Sequence, residues 1–342
     1  MPAVQAPATV LVTGASGFIA VWVVKTLLDK GFNVRGTVRS SSKGDYLTKL
    51  FDSYGEKFTY VIVGDVSHEG AFDEAVKGVD AVIHTASPVS GNAHDPDELI
   101  RPAVDGTLNA LKSVKKHGGS VRRVVITSSV VALMEPKNQF PAVYTETDWN
   151  NFVIEDVKTK GATADDKSKY CASKTLAERA AWDFVKDNTA GINFDIATIL
   201  PSYVPAPAQL NYSTKFFFDA MQGEGLPQSK ASAPFGDYVD VRDVAEMHVR
   251  ALTEEAAGGE RFICSGGVLS WQDVYDTLNS VEPPVPNVPR GHPGRTQPHP
   301  AICNADKARR FFGFEFTSLQ KMAADTLRSL REREVVWGEG SE

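Results

Sequence analysis

Two short motifs carry residue types that together do proton chemistry. Thr127-Ser128-Ser129 closes an apolar run, Val124-Val125-Ile126, and Tyr170-Cys171-Ala172-Ser173-Lys174 sets a tyrosine and a lysine four positions apart. On a helix that spacing puts both side chains on one face. A lysine ammonium beside a phenol favours the phenolate, so the pair predicts a Tyr170 pKa lowered from about 10 toward neutrality. Such a tyrosine gives or takes a proton at cellular pH. A serine hydroxyl that holds a carbonyl oxygen completes the equipment for protonating a carbonyl while a hydride arrives elsewhere. Tyr-x-x-x-Lys also occurs on surface helices, with the tyrosine packed and the lysine solvated. The N-terminal residues decide between the two readings.

Thr9 to Thr13 is a short β-branched apolar run that suits a buried parallel strand. Gly14-Ala15-Ser16-Gly17-Phe18-Ile19-Ala20 follows, and then a helical pattern of Ile19, Val23, Val24, Leu27 and Leu28 that Gly31 closes. Strand, glycine turn and helix is the setting of a dinucleotide fingerprint. Gly14 permits the tight turn. Gly17 lets backbone approach a pyrophosphate at the helix N-terminus, where free N–H groups favour anions. Small Ala20 lets helix and strand pack closely. The spacing is Gly-x-x-Gly-x-x-Ala rather than Gly-x-Gly-x-x-Gly.

The next strand runs from Asn33 to Arg39. Where an acidic residue would bind a free ribose 2′-hydroxyl stands Arg39, with Lys43 four residues on. No Asp or Glu occurs between Asn33 and Lys43, and arginine suits a 2′-phosphate. The expected cofactor is therefore NADP(H).

Further β-rich runs at Tyr60–Val63, Ala81–Thr85, Val124–Thr127 and Phe194–Leu200 alternate with helical stretches at Ala71–Lys77 and Leu99–Lys116. The alternation predicts an α/β fold, a doubly wound parallel sheet of Rossmann type. Residues 1–200 are expected to form the dinucleotide-binding domain. Residues 201–342 are expected to form a smaller, mainly substrate-binding domain, with some segments returning to the first. Gly14, Arg39, Asp65, Ala86 and Ser129 each end their own run, which is where ligands bind in such sheets. Residues 135–168 read as a long polar connection, Ser213–Met221 as a short helix and Gln222–Gly236 as a mobile lid. Asp243 reads as a helix N-cap with Glu246 three residues on, Pro283–Pro300 as an extended surface connection and Lys321–Arg331 as an amphipathic helix.

Together these residues resemble the extended short-chain dehydrogenase/reductases, in particular the dihydroflavonol reductase group and its fungal carbonyl and methylglyoxal reductase relatives. The landmarks are Val12 to Ala20, Gly64-Asp65-Val66, His84-Thr85-Ala86-Ser87-Pro88, Thr127-Ser128-Ser129, Tyr170 to Lys174, Pro201-Ser202-Tyr203-Val204 and Tyr238 to Ala245. The resemblance implies Ser129, Tyr170 and Lys174 as the catalytic set. It implies Arg39 and Lys43 at the 2′-phosphate, Asp65 at the adenine, and Ala86 and Ser87 at the middle of the cofactor. Lys174 would also bind nicotinamide-ribose hydroxyls, and Pro201 and Val204 would line the nicotinamide. The implied cofactor contacts include Gly14, Ser16, Gly17, Phe18, Ile19, Val66, Thr85 and Thr127. Many extended members carry Asn in Asn-Val-x-Gly-Thr on the fourth helix. Here Ala103 takes that place, which leaves the group behind Lys174 open.

By family position the substrate meets Val89, Val130, Met134 and Tyr203, with Phe235 as a cap. These side chains are mostly aliphatic and of modest size, which leans toward ketones and aldehydes rather than true dihydroflavonols. The implied activity is NADPH-dependent carbonyl reduction with Tyr170 as proton donor. The alternatives are a dihydroflavonol reductase-like enzyme; a dehydrogenase or epimerase acting on a sterol or sugar nucleotide, which would favour NAD and an acidic residue at position 39; and a non-catalytic NADP-binding regulator, which need not keep the catalytic set.

The chain has 342 residues and a formal charge of −7 with dispersed charges, so nucleic acid is not an expected partner. Its three cysteines are far apart, which fits a reducing compartment rather than a disulfide framework. No His-x-x-x-His or Cys-x-x-Cys suggests a metal site. No leader pattern and no membrane-length apolar run is visible. The expectation is a cytoplasmic enzyme, monomer or homodimer, acting on a small carbonyl compound.

Overall fold

Strand β1 (Thr9–Thr13) is buried along nearly its whole length, as a β-branched run in the middle of a parallel sheet must be. The computed structural model describes residues 4–87, 93–204, 234–282, 288–294 and 298–337. In chain order β1 is followed by α1 (Phe18–Asp29), β2 (Asn33–Val38), α2 (Ser41–Leu50), β3 (Phe58–Ile62), β4 (Ala81–His84), α3 (Asp97–His117) and β5 (Arg123–Thr127). Then come β6 (Ala142–Tyr144), α4 (Asn151–Lys160), α5 (Asp166–Asp187), β7 (Asp195–Pro201) and β8 (Pro234–Tyr238). The remainder is α6 (Val241–Thr253), β9 (Arg261–Cys264), β10 (Gly267–Ser270), α7 (Trp271–Ser280), β11 (Ala301–Cys303), α8 (Asp306–Phe312) and α9 (Leu319–Trp337).

The main sheet has seven strands in the order β3-β2-β1-β4-β5-β7-β9. The pairs from β3 through β7 are all parallel. The order reverses between β1 and β4, the switch point where doubly wound sheets bind ligands. Leu11, Val82, Val124, Ile126 and Ile196 pack in one cluster with Ala110, Leu111 and Val114 of α3 and Ala181 of α5. Their strand neighbours Val10, Val12, Ile83, Val125 and Ala197 point to the opposite face and are equally buried. Both faces of the sheet are therefore covered. The fold is the doubly wound α/β sheet that the alternation predicts.

The chain divides into two compact units. The first comprises 1–136, 146–200 and 244–262; the second comprises 137–145, 201–243 and 263–342. The second unit has its own core, with Tyr275, Leu278, Met322 and Leu327 at its centre. It also has two small sheets, an antiparallel β8–β10 pair and a parallel β6–β11 pair.

Several elements differ from the sequence reading. Residues 71–78 form successive turns rather than a helix. Gly70 and Gly78 bracket them with φ of 75° and 67°, yet Phe72, Ala75 and Val76 still reach the core. The polar stretch 135–168 is not a plain connection, since it holds β6 and α4. Asn150 starts α4 by accepting from Val153 N at 3.2 Å, and Val153 and Val157 bury one face. Helix α6 begins two residues before Asp243, and Asp240 Oδ1 accepts from Arg242 N at 2.8 Å in the cap position. Asp243 instead accepts from Thr317 N and Oγ1, at 2.7 and 3.0 Å. Pro234, Phe235 and Gly236, read as the end of a lid, belong to strand β8. Val89, the helix expected at 213–221 and the rest of the lid lie outside the described residues.

Candidate active site

Helix α5 starts where Asp165 accepts from Ser168 N at 2.7 Å. It carries Tyr170, Lys174 and Glu178, each four residues from the last, along one face. Lys174 is buried. Its Nζ donates to Ser87 Oγ at 2.9 Å and lies 5.7 Å from the centroid of the Tyr170 ring. Ser129 follows β5 and caps a short 3-10 turn, Val130–Ala132, by accepting from Val131 N at 3.4 Å. The Ser129 hydroxyl stands close enough to the Tyr170 hydroxyl to favour the phenolate slightly, against the effect of burial. The three residues that the motifs single out thus form one cluster. Ser128 is held away from it, its Oγ donating to Glu178 Oε2 at 2.7 Å.

The charge states differ from the sequence expectation. Burial pushes the Tyr170 phenol up to about 12, rather than down toward neutrality. The Lys174 ammonium is turned toward Ser87, so desolvation of the phenolate wins. Burial also brings Lys174 down to about 8. Tyr170 is therefore a fully protonated phenol at neutral pH, and the depressed group is the lysine. Cys171, next to Tyr170, is a buried thiol pushed up to about 11 by burial, as an inert packed cysteine should be.

The glycine turn opens toward the switch point. Gly14 has φ of 64°, and a Cβ there would meet Cα and Cβ of Ala86 at 3.2 Å. Ala86 N and Thr85 N both donate to Thr13 Oγ1 at 3.1 Å, which ties the segment after β4 to the end of β1. Helix α1 begins at Phe18 with Gly17 as N-cap, no side-chain cap and no acidic residue in its first turn. Ser16, Phe18 and Ile19 surround that open helix end. These features fit a dinucleotide pyrophosphate.

Arg39 and Lys43 are both exposed, at the end of β2 and in the first turn of α2. Helix α2 likewise has no side-chain cap and no acidic residue in its first turn, which suits a phosphate. Asp65 is exposed and accepts from Ser67 Oγ and N at 2.7 and 2.9 Å. Those bonds, followed by the charges of His68 and Arg39, hold its carboxyl below the usual range. Val66 packs toward Gly106, where a Cβ would come within 3.0 Å of its Cγ2. Thr127 Oγ1 lies 2.7 Å from His248 Nε2. Val130 is buried and Met134 half-buried in the first unit. Pro201, Tyr203 and Val204 belong to the second unit, where Tyr203 N donates to Asp237 O at 3.1 Å.

Four site-shaping residues receive no role from the motifs. Asn109 Nδ2 donates to the carbonyls of Val66, Ser67 and His68 at 3.2, 2.9 and 2.9 Å, fixing the turn that presents Asp65. Glu178 Oε1 accepts from Arg261 Nε and Thr198 Oγ1 at 2.8 and 2.9 Å. Arg261 in turn lies 3.7 Å from the centroid of Trp149. His84 is buried beside Lys174. For Glu178 a signal existed: it is the next residue on the Tyr170–Lys174 face.

The family model for the NAD dependent epimerase/dehydratase family matches residues 10–264. The chain belongs to that family. The likeness to extended short-chain dehydrogenase/reductases, first visible in the motifs, holds across the chain. It is 37% identical to a putative NADPH-dependent methylglyoxal reductase of Candida albicans, over 94% of this chain and 98% of that protein. It is 35% identical to the NADPH-dependent methylglyoxal reductase of Saccharomyces cerevisiae, over 93% and 96% of the two chains. The crystal structure of yeast methylglyoxal/isovaleraldehyde reductase complexed with NADPH superposes with a TM-score of 0.86 at 32% identity, covering 96% of this chain and 99% of that one.

Proposed function

We propose that this chain is an NADPH-dependent carbonyl reductase that converts ketones or aldehydes to alcohols, with Tyr170 as proton donor. The observation that carries the reading is the gathering of Ser129 and Tyr170 at one place, with Lys174 one turn along the same helix and 5.7 Å from the Tyr170 ring. The NADPH-dependent reductases to which the chain is similar support the cofactor and the reaction type.

Gly14, Ser16, Gly17, Phe18 and Ile19 would hold the pyrophosphate, Arg39 and Lys43 the 2′-phosphate, and Asp65 and Val66 the adenine side. Thr85, Ala86, Ser87 and Thr127 would flank the middle, and Pro201 and Val204 the nicotinamide. When bound, NADPH supplies a hydride to the carbonyl carbon. Ser129 holds the carbonyl oxygen, and Tyr170 gives it a proton as negative charge develops there. Lys174 keeps a positive charge beside the phenol and anchors the ribose. Val89, Val130, Met134, Tyr203 and Phe235 are the residues that family position assigns to the substrate. The reaction takes place in the cytoplasm, in a monomer or homodimer.

Loss of NADPH absorbance across a panel of ketones, keto esters and aldehydes tests the reading. Turnover of at least one apolar carbonyl compound is expected. NADPH binding without turnover of any member would favour the non-catalytic regulator.

A further inference from the structure

His84 ends β4 and stands in register with Thr13, the last residue of β1. Thr13 Oγ1 receives two backbone donors, Thr85 N and Ala86 N. A hydroxyl has two lone pairs and one proton. With both lone pairs engaged, its proton goes to His84 Nδ1, 2.9 Å away. Nδ1 is therefore the acceptor nitrogen, and the neutral ring carries its proton on Nε2. Among the described residues, that buried Nε2 has no hydrogen-bond partner. Protonating Nδ1 would aim a third donor at Thr13. Burial, and then the charge of Lys174, bring His84 down to about 4, so the ring stays neutral.

The ring lines a cavity of about 10 Å³ together with Ser87, Thr107, Ser128, Lys174 and Glu178. That is about the room one water requires. Its polar walls fall into two sets. His84 Nε2 and Lys174 Nζ offer only donors. Thr107 Oγ1 already donates to Ala103 O at 2.9 Å, and Ser128 Oγ donates to Glu178, so both hydroxyls offer lone pairs. A group bound there must accept from one set and donate to the other, which a water does and an ion does not.

We propose that His84 is a positioning residue for Lys174, acting through one buried water. The water accepts from His84 Nε2 and Lys174 Nζ and donates to Thr107 Oγ1 and Ser128 Oγ. It gives the ammonium a fixed acceptor besides Ser87, so Lys174 keeps its charge and its place beside Tyr170. Lys174 is faced by Tyr170 and Glu178 from its own helix, by Ser87, and by His84 from β4. Glu178 is matched by Arg261, and His84 is uncharged.

The kinetic half of this inference rests on the carbonyl reductase reading; the tautomer and the water do not. The first test is nitrogen-15 NMR of His84 in the full chain, with a high-resolution crystal structure of the NADPH complex. A proton on Nε2 at neutral pH and a water between His84 and Lys174 are expected. A proton on Nδ1 or a dry cavity overturns the proposal, whether or not the protein reduces carbonyls. The second test compares His84→Phe with His84→Gln, which keeps an N–H donor and an acceptor. In His84→Phe, kcat at pH 7.5 should fall by roughly tenfold, the size of one lost hydrogen bond to a charge, with little change in KM for NADPH. The basic limb of its kcat–pH profile should move about one unit down, because a less solvated ammonium loses its proton sooner. His84→Gln should restore most of both. If an active parent is matched by His84→Phe in kcat and pH profile, His84 does not position Lys174.

Discussion

Glu178 accepts a hydrogen bond from Ser128 at 2.7 Å, one helical turn beyond Lys174. The bond holds one serine of the pair back and leaves Ser129 to meet Tyr170. Glu178 is fully buried, and its charge is balanced by Arg261, whose Nε and Nη2 donate to it at 2.8 and 3.1 Å. Arg261 Nη1 also donates to the carbonyls of Glu146 and Asp148. One ion pair thus ties α5 to β9 and to the segment before α4.

Removing one partner of such a pair strands a buried charge and costs about 3–5 kcal/mol. Arg261→Met should lose stability of that order in urea denaturation. Adding Glu178→Gln removes the stranded charge while keeping an acceptor for Ser128, so the double variant should regain part of the loss. A single variant within about 1 kcal/mol of the parent would show the pair to be dispensable.

Tyr170→Phe removes one hydroxyl from a packed ring. Turnover should fall by about 10²–10⁴-fold, the usual range for general acid catalysis, while NADPH still binds. The pH profile of the parent carries a second check. With its phenol pushed up to about 12, Tyr170 stays protonated through neutral pH. Lys174, brought down to about 8, is charged below that pH and neutral above it. Carbonyl reduction should therefore be flat from pH 6 to 7 and decline as pH rises through about 8. A rate that climbs across that interval contradicts the assignment.

The motifs and the βαβ alternation were legible because each depends on local chemistry: glycine in a turn, apolar period, four-residue spacing on α5. What escaped depends on distant partners. The lysine-beside-tyrosine argument is sound for a solvated pair, but it cannot see that burial outweighs the ammonium. The expected helix at 71–77 has adequate periodicity, yet the flanking glycines and the Ser113 bond to Asp73 at 2.7 Å favour turns. Asp243 looks like a cap by pattern, but Thr317, far along the chain, claims its carboxylate. Asn109 and Arg261 carry no local signal at all, since their partners lie on other elements.

Arg39 and Lys43 are exposed, and no acidic residue stands in the first turn of α2. A charge-assisted hydrogen bond contributes roughly 1.5–3 kcal/mol, so Arg39→Ala should raise KM for NADPH about ten- to a hundredfold. KM for NADH, which lacks the 2′-phosphate, should change little. Equal kinetics of the parent with both cofactors would remove Arg39 from the 2′-phosphate site.

The last prediction concerns acid. His248 Nδ1 lies 2.7 Å from Val244 O, and a carbonyl only accepts, so Nδ1 carries the proton. Nε2 then accepts from Thr127 Oγ1 at 2.7 Å, and no site is left for a second proton. Burial brings His248 down to about 4, and His84 falls to about 4 as well, from an ordinary value of 6.5. An unfolded chain takes up these protons first. The stabilisation from neutral burial is therefore complete above pH 6.5 and is lost as pH falls toward 4, by about 3 kcal/mol for each ring. Asp243 acts in the opposite sense. Burial raises its carboxyl to about 6, so the folded state gains stability as pH falls through that value. Comparison of variants separates the two. Urea midpoints of the parent and of His248→Gln should be measured between pH 7.5 and 4.5. His248→Gln should start lower at pH 7.5, because a packed ring is lost, but decline less steeply toward acid. Parallel curves would mean that His248 does not titrate on unfolding, and the acid response would have to come from other groups.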